Sequence, residues 1–169
     1  LATGHERTRM ETIAFLQQQP IFGGVTDTAM QALIPLFREL DFPQGALIFR
    51  EGDEGDSLCV ICHGSVEVLK AEDGVDGHPG NQIAVLQKGD VFGEMELIDL
   101  QRRSASIRAL TPVNVLSLTN GDLFQIYQSD LPTFTLIVLN LARELSRRLR
   151  RLDEYVGHWL SGPLTTDGH

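Results

Sequence analysis

The sixteen residues from 92 to 107, "FGEMELIDLQRRSASI", place a carboxylate and a guanidinium at a spacing suited to anion binding. Glu94 and Arg103 stand nine residues apart, and small residues lie beside each of them. A glycine before a short helical turn presents free backbone N–H groups and the positive end of a helix dipole, and both attract phosphate. An arginine on the following strand can add a bidentate contact to the same anion.

The carboxylate of Glu94 needs a different partner, because it repels a phosphate. It can accept a hydrogen bond from a hydroxyl group, and a ribose places a hydroxyl near its phosphate. The small residues Ser104 and Ala105 allow close approach of the backbone, and the serine hydroxyl offers a further donor. The pattern therefore predicts a site for a phosphorylated sugar.

The elements that must position this stretch change character along the chain. Apolar residues at three and four spacing predict helices over residues 6–19 and 26–40. From residue 42 to about residue 118, short apolar runs separated by glycines favour a closed antiparallel sandwich or barrel. Residues 72–81, "EDGVDGHPGN", are typical of a polar hairpin loop.

After Asn120 the sequence predicts helices again, the last of them starting near Pro132. Its apolar residues recur at three and four spacing, and the arginines lie on the opposite face. These apolar residues are Val138, Leu141, Leu145, Leu149, Leu152, Val156 and Trp159. A helix of about 28 residues is longer than a small barrel can cover. We therefore expect a homodimer through this helix rather than packing on its own domain alone.

Cys59 and Cys62 form a CxxC motif in "LCVICHG", which on a turn would suggest a redox or zinc site. Here the surrounding residues are β-branched and alternating, and residues three apart on a strand point to opposite faces. The five histidines are scattered along the sequence and complete no ligand set. We therefore expect two cysteines packed as small hydrophobic residues, no metal, no cofactor and no catalytic residues. A metal-dependent enzyme on a related barrel, such as a cupin, is disfavoured.

The charge balance bears on possible partners. The formal net charge is -9, whereas binding to nucleic acid backbones requires a basic face. No apolar run is as long as a membrane span, and the N-terminus lacks the apolar core of a signal peptide. We therefore expect a cytoplasmic protein that binds neither nucleic acid nor membrane by itself.

From about residue 12 to residue 160 the sequence resembles the cyclic nucleotide-binding domain family, of the catabolite activator and protein kinase A regulatory type. The family's phosphate-binding cassette runs F-G-E-hydrophobic, then R-small-A-Ser/Thr-hydrophobic. This chain matches that cassette with Phe92, Gly93, Glu94, Met95, Arg103, Ser104, Ala105, Ser106 and Ile107. It also has the family's glycines at Gly45, Gly52, Gly55, Gly64 and Gly89.

The resemblance implies a mainly β, α+β fold: an antiparallel double-stranded β-helix (jelly-roll) barrel with N-terminal helices and a long C-terminal helix. On this basis residues 1–41 are an N-terminal helical segment and residues 42–119 form the barrel with its cassette at 92–107. Residues 120–160 contain the C-terminal helices with the dimerisation helix, and residues 161–169 are a tail.

The resemblance also implies roles for individual residues. Glu94 accepts the ribose 2′-OH, and Arg103 binds the cyclic phosphate with help from Ser104 and the backbone N–H groups of 93–96. Apolar barrel residues enclose the base, and the last helix lies beside it. The complete set of expected ligand-binding residues is Gly93, Glu94, Met95, Glu96, Arg103, Ser104, Ala105, Val68, Ile83, Leu86, Leu152 and Asp153.

Two positions bear on the choice of ligand. Glu96 stands where the family has a small residue, and it either faces solvent or weakens phosphate binding. Leu152 and Asp153 stand where catabolite-activator-type members contact adenine with hydroxyl groups. A carboxylate at Asp153 can accept two bonds from guanine but one from adenine, unless it pairs with Arg150. Ser104 is typical of cAMP-binding relatives. We expect cAMP as the ligand, with cGMP as the alternative.

Two other interpretations of the chain remain open. Only nine residues follow Leu160, too few for a DNA-binding helix-turn-helix, so the chain can be the sensor fragment of a transcription regulator. It can also be a degenerate barrel that binds no nucleotide and only dimerises.

Overall fold

The computed structural model describes residues 4–71, 80–95 and 101–160. Helices occupy both ends of this part of the chain: α1 Gly4–Gln17, α2 Asp27–Leu33, α3 Asn120–Ser129 and α4 Leu131–Leu160, with short 3-10 helices at Pro20–Phe22 and Ile34–Leu36. Eight strands lie between them: β1 Arg38–Phe42, β2 Leu47–Phe49, β3 Ser57–His63, β4 Ser65–Lys70, β5 Asn81–Gln87, β6 Val91–Phe92, β7 Ser106–Ala109 and β8 Val113–Thr119.

The strands form two four-stranded sheets, with orders β1-β8-β3-β6 and β2-β7-β4-β5. The pairings within both sheets are antiparallel. Strand β7, which follows the cassette, lies between β2 and β4 in the second sheet. The structure therefore confirms the predicted fold, which is mainly antiparallel β with helices before and after the strands in the sequence.

Alternation along β3 and β8 divides the apolar core into two clusters. Leu58 and Val60 of β3 pack with the helices in the first cluster, together with Ile137 of α4. Cys59 and Ile61 point the other way, into a second cluster with residues of β4 and β7. Successive strand residues face opposite sides. One face of the first sheet therefore packs against the helices, and its other face packs against the second sheet.

Both cysteines lie on β3, and their placement confirms the structural interpretation of the CxxC motif. Cys59 is buried in the second cluster, whereas Cys62 packs against the first. Burial raises the pKa of each thiol to about 11. Both side chains are therefore protonated near neutral pH and pack as small apolar groups.

The helix predicted over residues 26–40 is too long and requires correction. Helix α2 ends at Leu33, and β1 begins at Arg38 and pairs with β8 from Ser117 to Val113. Pro35 lacks a backbone donor and its ring clashes with the preceding turn, so the helix cannot continue through it. The strand region therefore begins at residue 38 rather than at residue 42. Residues 72–79 of the predicted hairpin loop lie outside the described residues, as does the 161–169 tail.

The two predicted C-terminal helices are confirmed, but the apolar stripe of the last one is divided. Leu141 is buried in the first cluster. Leu149, Leu152 and Val156 are 60%, 59% and 55% exposed. Helix α4 therefore packs its first half on the domain and leaves an apolar strip uncovered further along. Within the described ranges, the structure contains no helix long and apolar enough to span a membrane.

Candidate functional site

The backbone of Arg103 is fixed by the turn at residues 51–55, "EGDEG". The N–H of Arg103 donates to the carbonyl of Asp53 at 2.8 Å, and its own carbonyl accepts from the N–H of Gly52 at 2.9 Å. The neighbouring Arg102 forms an isolated antiparallel β-bridge with Glu54 of the same turn. The segment before β7 is thus held against this turn on both sides of Arg103, the residue predicted to bind the phosphate.

The side chain of Arg103 is 5% exposed and is held in one orientation. Its guanidinium lies 3.6 Å from the ring centre of Phe49, and it donates to the carbonyl of Gly93 and to the Ser57 hydroxyl, each at 3.3 Å. Stacking on an aromatic face favours a desolvated cation. A buried guanidinium ordered before a ligand arrives loses little side-chain entropy on binding.

Two glycines make room for this guanidinium. Gly93 has a φ of +78°, and a Cβ there would lie 2.6 Å from Nη1 of Arg103. A Cβ on Gly55 would lie 2.6 Å from Nε of the same side chain. Both positions therefore require glycine for space, and Gly93 also requires it for its backbone conformation.

Glu94 follows β6 and is only 3% exposed. Its Oε1 accepts a hydrogen bond from Nη1 of Arg148 on α4 at 2.6 Å, and Nη2 of Arg148 donates to the carbonyl of Val91 at 2.7 Å. A buried carboxylate is strongly destabilising without such a partner. An ionised carboxylate has about four acceptor sites, so one arginine does not exhaust its capacity for a sugar hydroxyl.

The pairing of Arg148 with Glu94 was missed by sequence reasoning, which placed the arginines on the far face of the last helix. The spacing of the apolar residues does not show which arginine lies at the edge of the stripe, where it can reach the domain, and which arginines point outward. The available signal was Glu94 itself. A glutamate that is buried and has no cation near it in sequence must pair with a cation that is distant in sequence.

The strand after Arg103 is fixed by a second set of contacts that the sequence did not reveal. Lys70 donates to the carbonyl of Ser104 at 2.7 Å and to Glu51 at 2.5 Å. Glu51 also accepts from the N–H of Ala71, while its own N–H donates to the Ser106 hydroxyl. The Ala71 N–H and, next, the Lys70 ammonium lower the pKa of the Glu51 carboxyl. The ends of β2 and β4 are thereby tied to the residues around the start of β7.

The remaining predicted site residues are not all brought to one place. The Ser104 hydroxyl reaches the sulfur of Met95 at 3.8 Å, so these two lie together. Val68 and Leu86 pack, partly buried, against the second core cluster. Ile83 is 60% exposed and falls at a register irregularity between β4 and β5, so it does not share their environment.

Three further predicted residues complete the set. Ala105 is half-buried before β7, and Leu152 and Asp153 are exposed on α4, four and five residues beyond Arg148. Glu96 lies outside the described residues. No group of three His, Cys, Asp or Glu side chains that could hold a metal ion occurs in the part of the chain that the structure describes.

Comparison with known proteins places this geometry in a family. The family model of the cyclic nucleotide-binding domain matches residues 39–130, more than half of the chain. That match includes β1 to β8 and the segment containing Glu94 and Arg103. The chain belongs to the cyclic nucleotide-binding domain family.

Individual relatives agree with this assignment. The chain is 34% identical over 137 residues to a CRP-like cAMP-activated global transcriptional regulator of Mycobacterium tuberculosis, a match that covers 80% of this chain and 58% of the relative. The catabolite activator protein of Thermus thermophilus superposes with a TM-score of 0.70 and 32% identity, covering 82% of this chain and 62% of that one. A cyclic nucleotide-binding domain from Methylobacillus flagellatus has a TM-score of 0.79 at 25% identity, covering 95% and 89%. The chain thus spans about three fifths of the length of the two regulators.

Proposed function

We propose that this chain is a regulatory sensor domain that binds a 3′,5′-cyclic nucleotide, cAMP in preference to cGMP, and carries no chemistry of its own. The observation that carries the proposal is the buried guanidinium of Arg103. It lies on the ring of Phe49 and donates to the carbonyl of Gly93, and the next residue is the buried Glu94. A buried cation in contact with Gly93 and a buried carboxylate on the next residue match the two polar parts of a sugar phosphate.

The binding roles follow from the chemistry of each group. Arg103 offers a planar set of donors to the cyclic phosphate, and the Ser104 hydroxyl and the backbone N–H groups of residues 93–95 add further donors. Glu94 accepts from the ribose 2′-OH, and Arg148 orients its carboxylate. Val68 and Leu86 form the apolar wall for the base, whereas the exposed Ile83 lies outside that wall.

The finer architecture belongs to the same proposal. The two four-stranded sheets and the strand order β2-β7-β4-β5 support a jelly-roll barrel with the nucleotide at the cassette. On this division residues 92–107 form the binding segment, and α3 and α4 carry the signal out of the barrel. The location of the protein in the cytoplasm stays a prediction.

We also propose that the chain forms a homodimer through α4, as part of the output of the sensor. The uncovered strip on α4, with Leu149, Leu152 and Val156 each more than half exposed, supports a second copy of the chain as its partner. The similarity to a cAMP-activated transcriptional regulator supports a second candidate, in which this chain is the sensor part of a longer regulator. The chain's own net charge of -9 favours a sensor that does not itself contact DNA.

The preference for cAMP rests on Ser104 and is opposed by Asp153, whose carboxylate could accept two bonds from guanine. Competition of cAMP and cGMP against one fluorescent cyclic nucleotide tests it. We expect cAMP to displace the probe at a roughly tenfold lower concentration, the equivalent of one hydrogen bond. A tenfold preference for cGMP would overturn the proposal that cAMP is preferred. If Asp153→Ala then abolished the preference for cGMP, Asp153 would be identified as its cause. Absence of probe binding would overturn the sensor function as a whole.

A further inference from the structure

The side chain of Phe49 is turned toward the site by an irregularity of strand β2. Leu47 pairs with Arg108 and Phe49 pairs with Ile107, so β2 advances two residues where β7 advances one. This is the register change that a β-bulge produces, and a bulge can re-aim a side chain near a functional site. Ile48 and Phe49 accordingly both pack against the second core cluster, although successive residues of a regular strand face opposite sides.

The neighbours of Phe49 fix its ring from two directions. The ring of Phe92, which is only 2% exposed, meets the ring of Phe49 edge to face, with 5.3 Å between the ring centres and 67° between the planes. A Cβ on Gly93 would lie 2.9 Å from Cε2 of Phe49, so this glycine makes room for the ring as well as for the arginine. Edge-to-face contacts between aromatic rings are favourable. The position of the ring is therefore determined by the protein itself.

The face of this ring is in close contact with Arg103. The guanidinium carbon lies 3.6 Å from the ring centre, which is van der Waals contact. The hydrogen bonds from Arg103 to the Gly93 carbonyl and to the Ser57 hydroxyl are each 3.3 Å, longer than the usual distance of about 2.9 Å. The ring therefore has a larger share in fixing the guanidinium than either of these hydrogen bonds.

We propose that Phe49 is a positioning residue of the nucleotide site, whose ring face holds the Arg103 guanidinium where it meets the cyclic phosphate. Phe49 acts on the ligand through the arginine and needs no contact of its own with the nucleotide. The ring also replaces water on one face of the cation, so less water has to be removed when the phosphate binds. This inference rests on the proposed function, because it takes Arg103 as the phosphate ligand.

The first test is the affinity of the whole chain for cAMP, measured by calorimetry for Phe49→Leu. Leucine keeps an apolar side chain in the second cluster but has no aromatic face, so we expect binding to weaken roughly threefold to thirtyfold. Phe49→Tyr keeps the face and should stay within about twofold of the unmodified chain. Phe42→Leu is the matched control, because Phe42 is partly buried against the same cluster. Equal weakening by Phe42→Leu would show that the core, and not the ring face, determines affinity.

Fluorination separates the attraction between ring and cation from packing. Fluorine atoms withdraw electron density from the ring face with little change in the shape of the side chain, so they weaken the attraction to a cation. Phenylalanine with one, two or three ring fluorines at position 49 should lower the affinity for cAMP stepwise, whereas the same series at position 42 should not. Equal cAMP affinities across the series at position 49 would overturn the proposal.

A double variant and a measurement without ligand complete the test. In a chain that carries Arg103→Ala, Phe49→Leu should cause no further loss of cAMP affinity, because the ring acts through the arginine. Additive losses would contradict the proposal. If the unmodified chain binds no cAMP, the proposed function fails, and nuclear magnetic resonance relaxation of the Arg103 Nε–H then decides whether the ring holds the side chain. This group should be rigid in the unmodified chain and mobile in a folded Phe49→Leu chain, and equal rigidity in both would overturn the role of the ring.

Discussion

At the scale of single residues, the site combines a buried cation with a buried anion, and each has its own partners. Arg103 is held by Phe49, Ser57 and Gly93, while Glu94 is held by Arg148. The two charges can therefore be tested independently. Under the proposed function, we expect the loss of Arg103 to affect the phosphate contacts and the loss of Glu94 to affect the ribose contacts.

Glu94→Gln should weaken cAMP binding roughly tenfold but leave 2′-deoxy-cAMP nearly unchanged, because the ribose 2′-OH is the one group of the nucleotide that we propose donates to this carboxylate. Calorimetric titration of both ligands gives the two affinities. Glu67→Gln is a matched control, since Glu67 is also buried and ion-paired, with Arg108 at 2.6 Å, but is not a predicted ligand. Equal weakening of both ligands by Glu94→Gln would show that Glu94 acts on the fold rather than on the ribose.

At the scale of elements, the segment that carries Ser104, just before β7, depends on the tie between the ends of β2 and β4. Glu51 is central to this tie, because it accepts from both Lys70 and the N–H of Ala71. These contacts bridge residues far apart in sequence, so they act on the folded state alone.

Glu51→Gln should lower the free energy of unfolding near neutral pH by about 1 kcal/mol. Because the folded protein lowers the pKa of Glu51 below 4.5, this contribution is fully present above pH 4.5 and disappears as the pH falls through the folded-state pKa. Urea unfolding of both proteins between about pH 7 and pH 3 measures the difference, which should shrink toward acid. A difference that is constant with pH would contradict the assignment of this carboxylate.

Sequence reasoning was most successful where periodicity or turn chemistry acts locally. The alternation of "SLCVICH" predicted β3, and three and four spacing predicted α3 and α4. It failed at residues 34–40, where Pro35 ends the helix and pairing with β8 from Arg38 onward overrides apparent helical spacing. It also missed Arg148 and Lys70, since a contact across 54 or 34 residues leaves no local pattern. The positions of Glu94 and Arg103 were predictable because their chemistry lies in one short stretch.

At the scale of the whole molecule, α4 is the only element in the described ranges that both contacts the site and presents a long uncovered apolar strip. Its Arg148 touches Glu94, and from Leu149 onward the helix exposes Leu149, Leu152 and Val156. A helix placed in this way can couple ligand binding to assembly, because both events order the same side chains.

Leu149→Asp combined with Leu152→Asp should convert the dimer to monomers, because it places charges in the proposed apolar interface. Both leucines are exposed in the single chain, so its fold should persist, as circular dichroism can verify. Met10→Asp on α1, where Met10 is 66% exposed, is a control for exposed apolar residues elsewhere. An unmodified chain that sediments as a monomer at micromolar concentration would contradict the interface.

The most direct test of the central claim is the affinity of cAMP for Arg103→Ala, measured by calorimetry beside the unmodified chain and Arg102→Ala. Arg102 is the adjacent arginine, but its side chain is 67% exposed and donates to the carbonyl of Gly52. If Arg103 binds the cyclic phosphate, Arg103→Ala should lose about 1.5–3 kcal/mol of binding, roughly tenfold to more than a hundredfold in affinity, while Arg102→Ala should bind normally. Unchanged cAMP affinity in a folded Arg103→Ala protein would contradict the account.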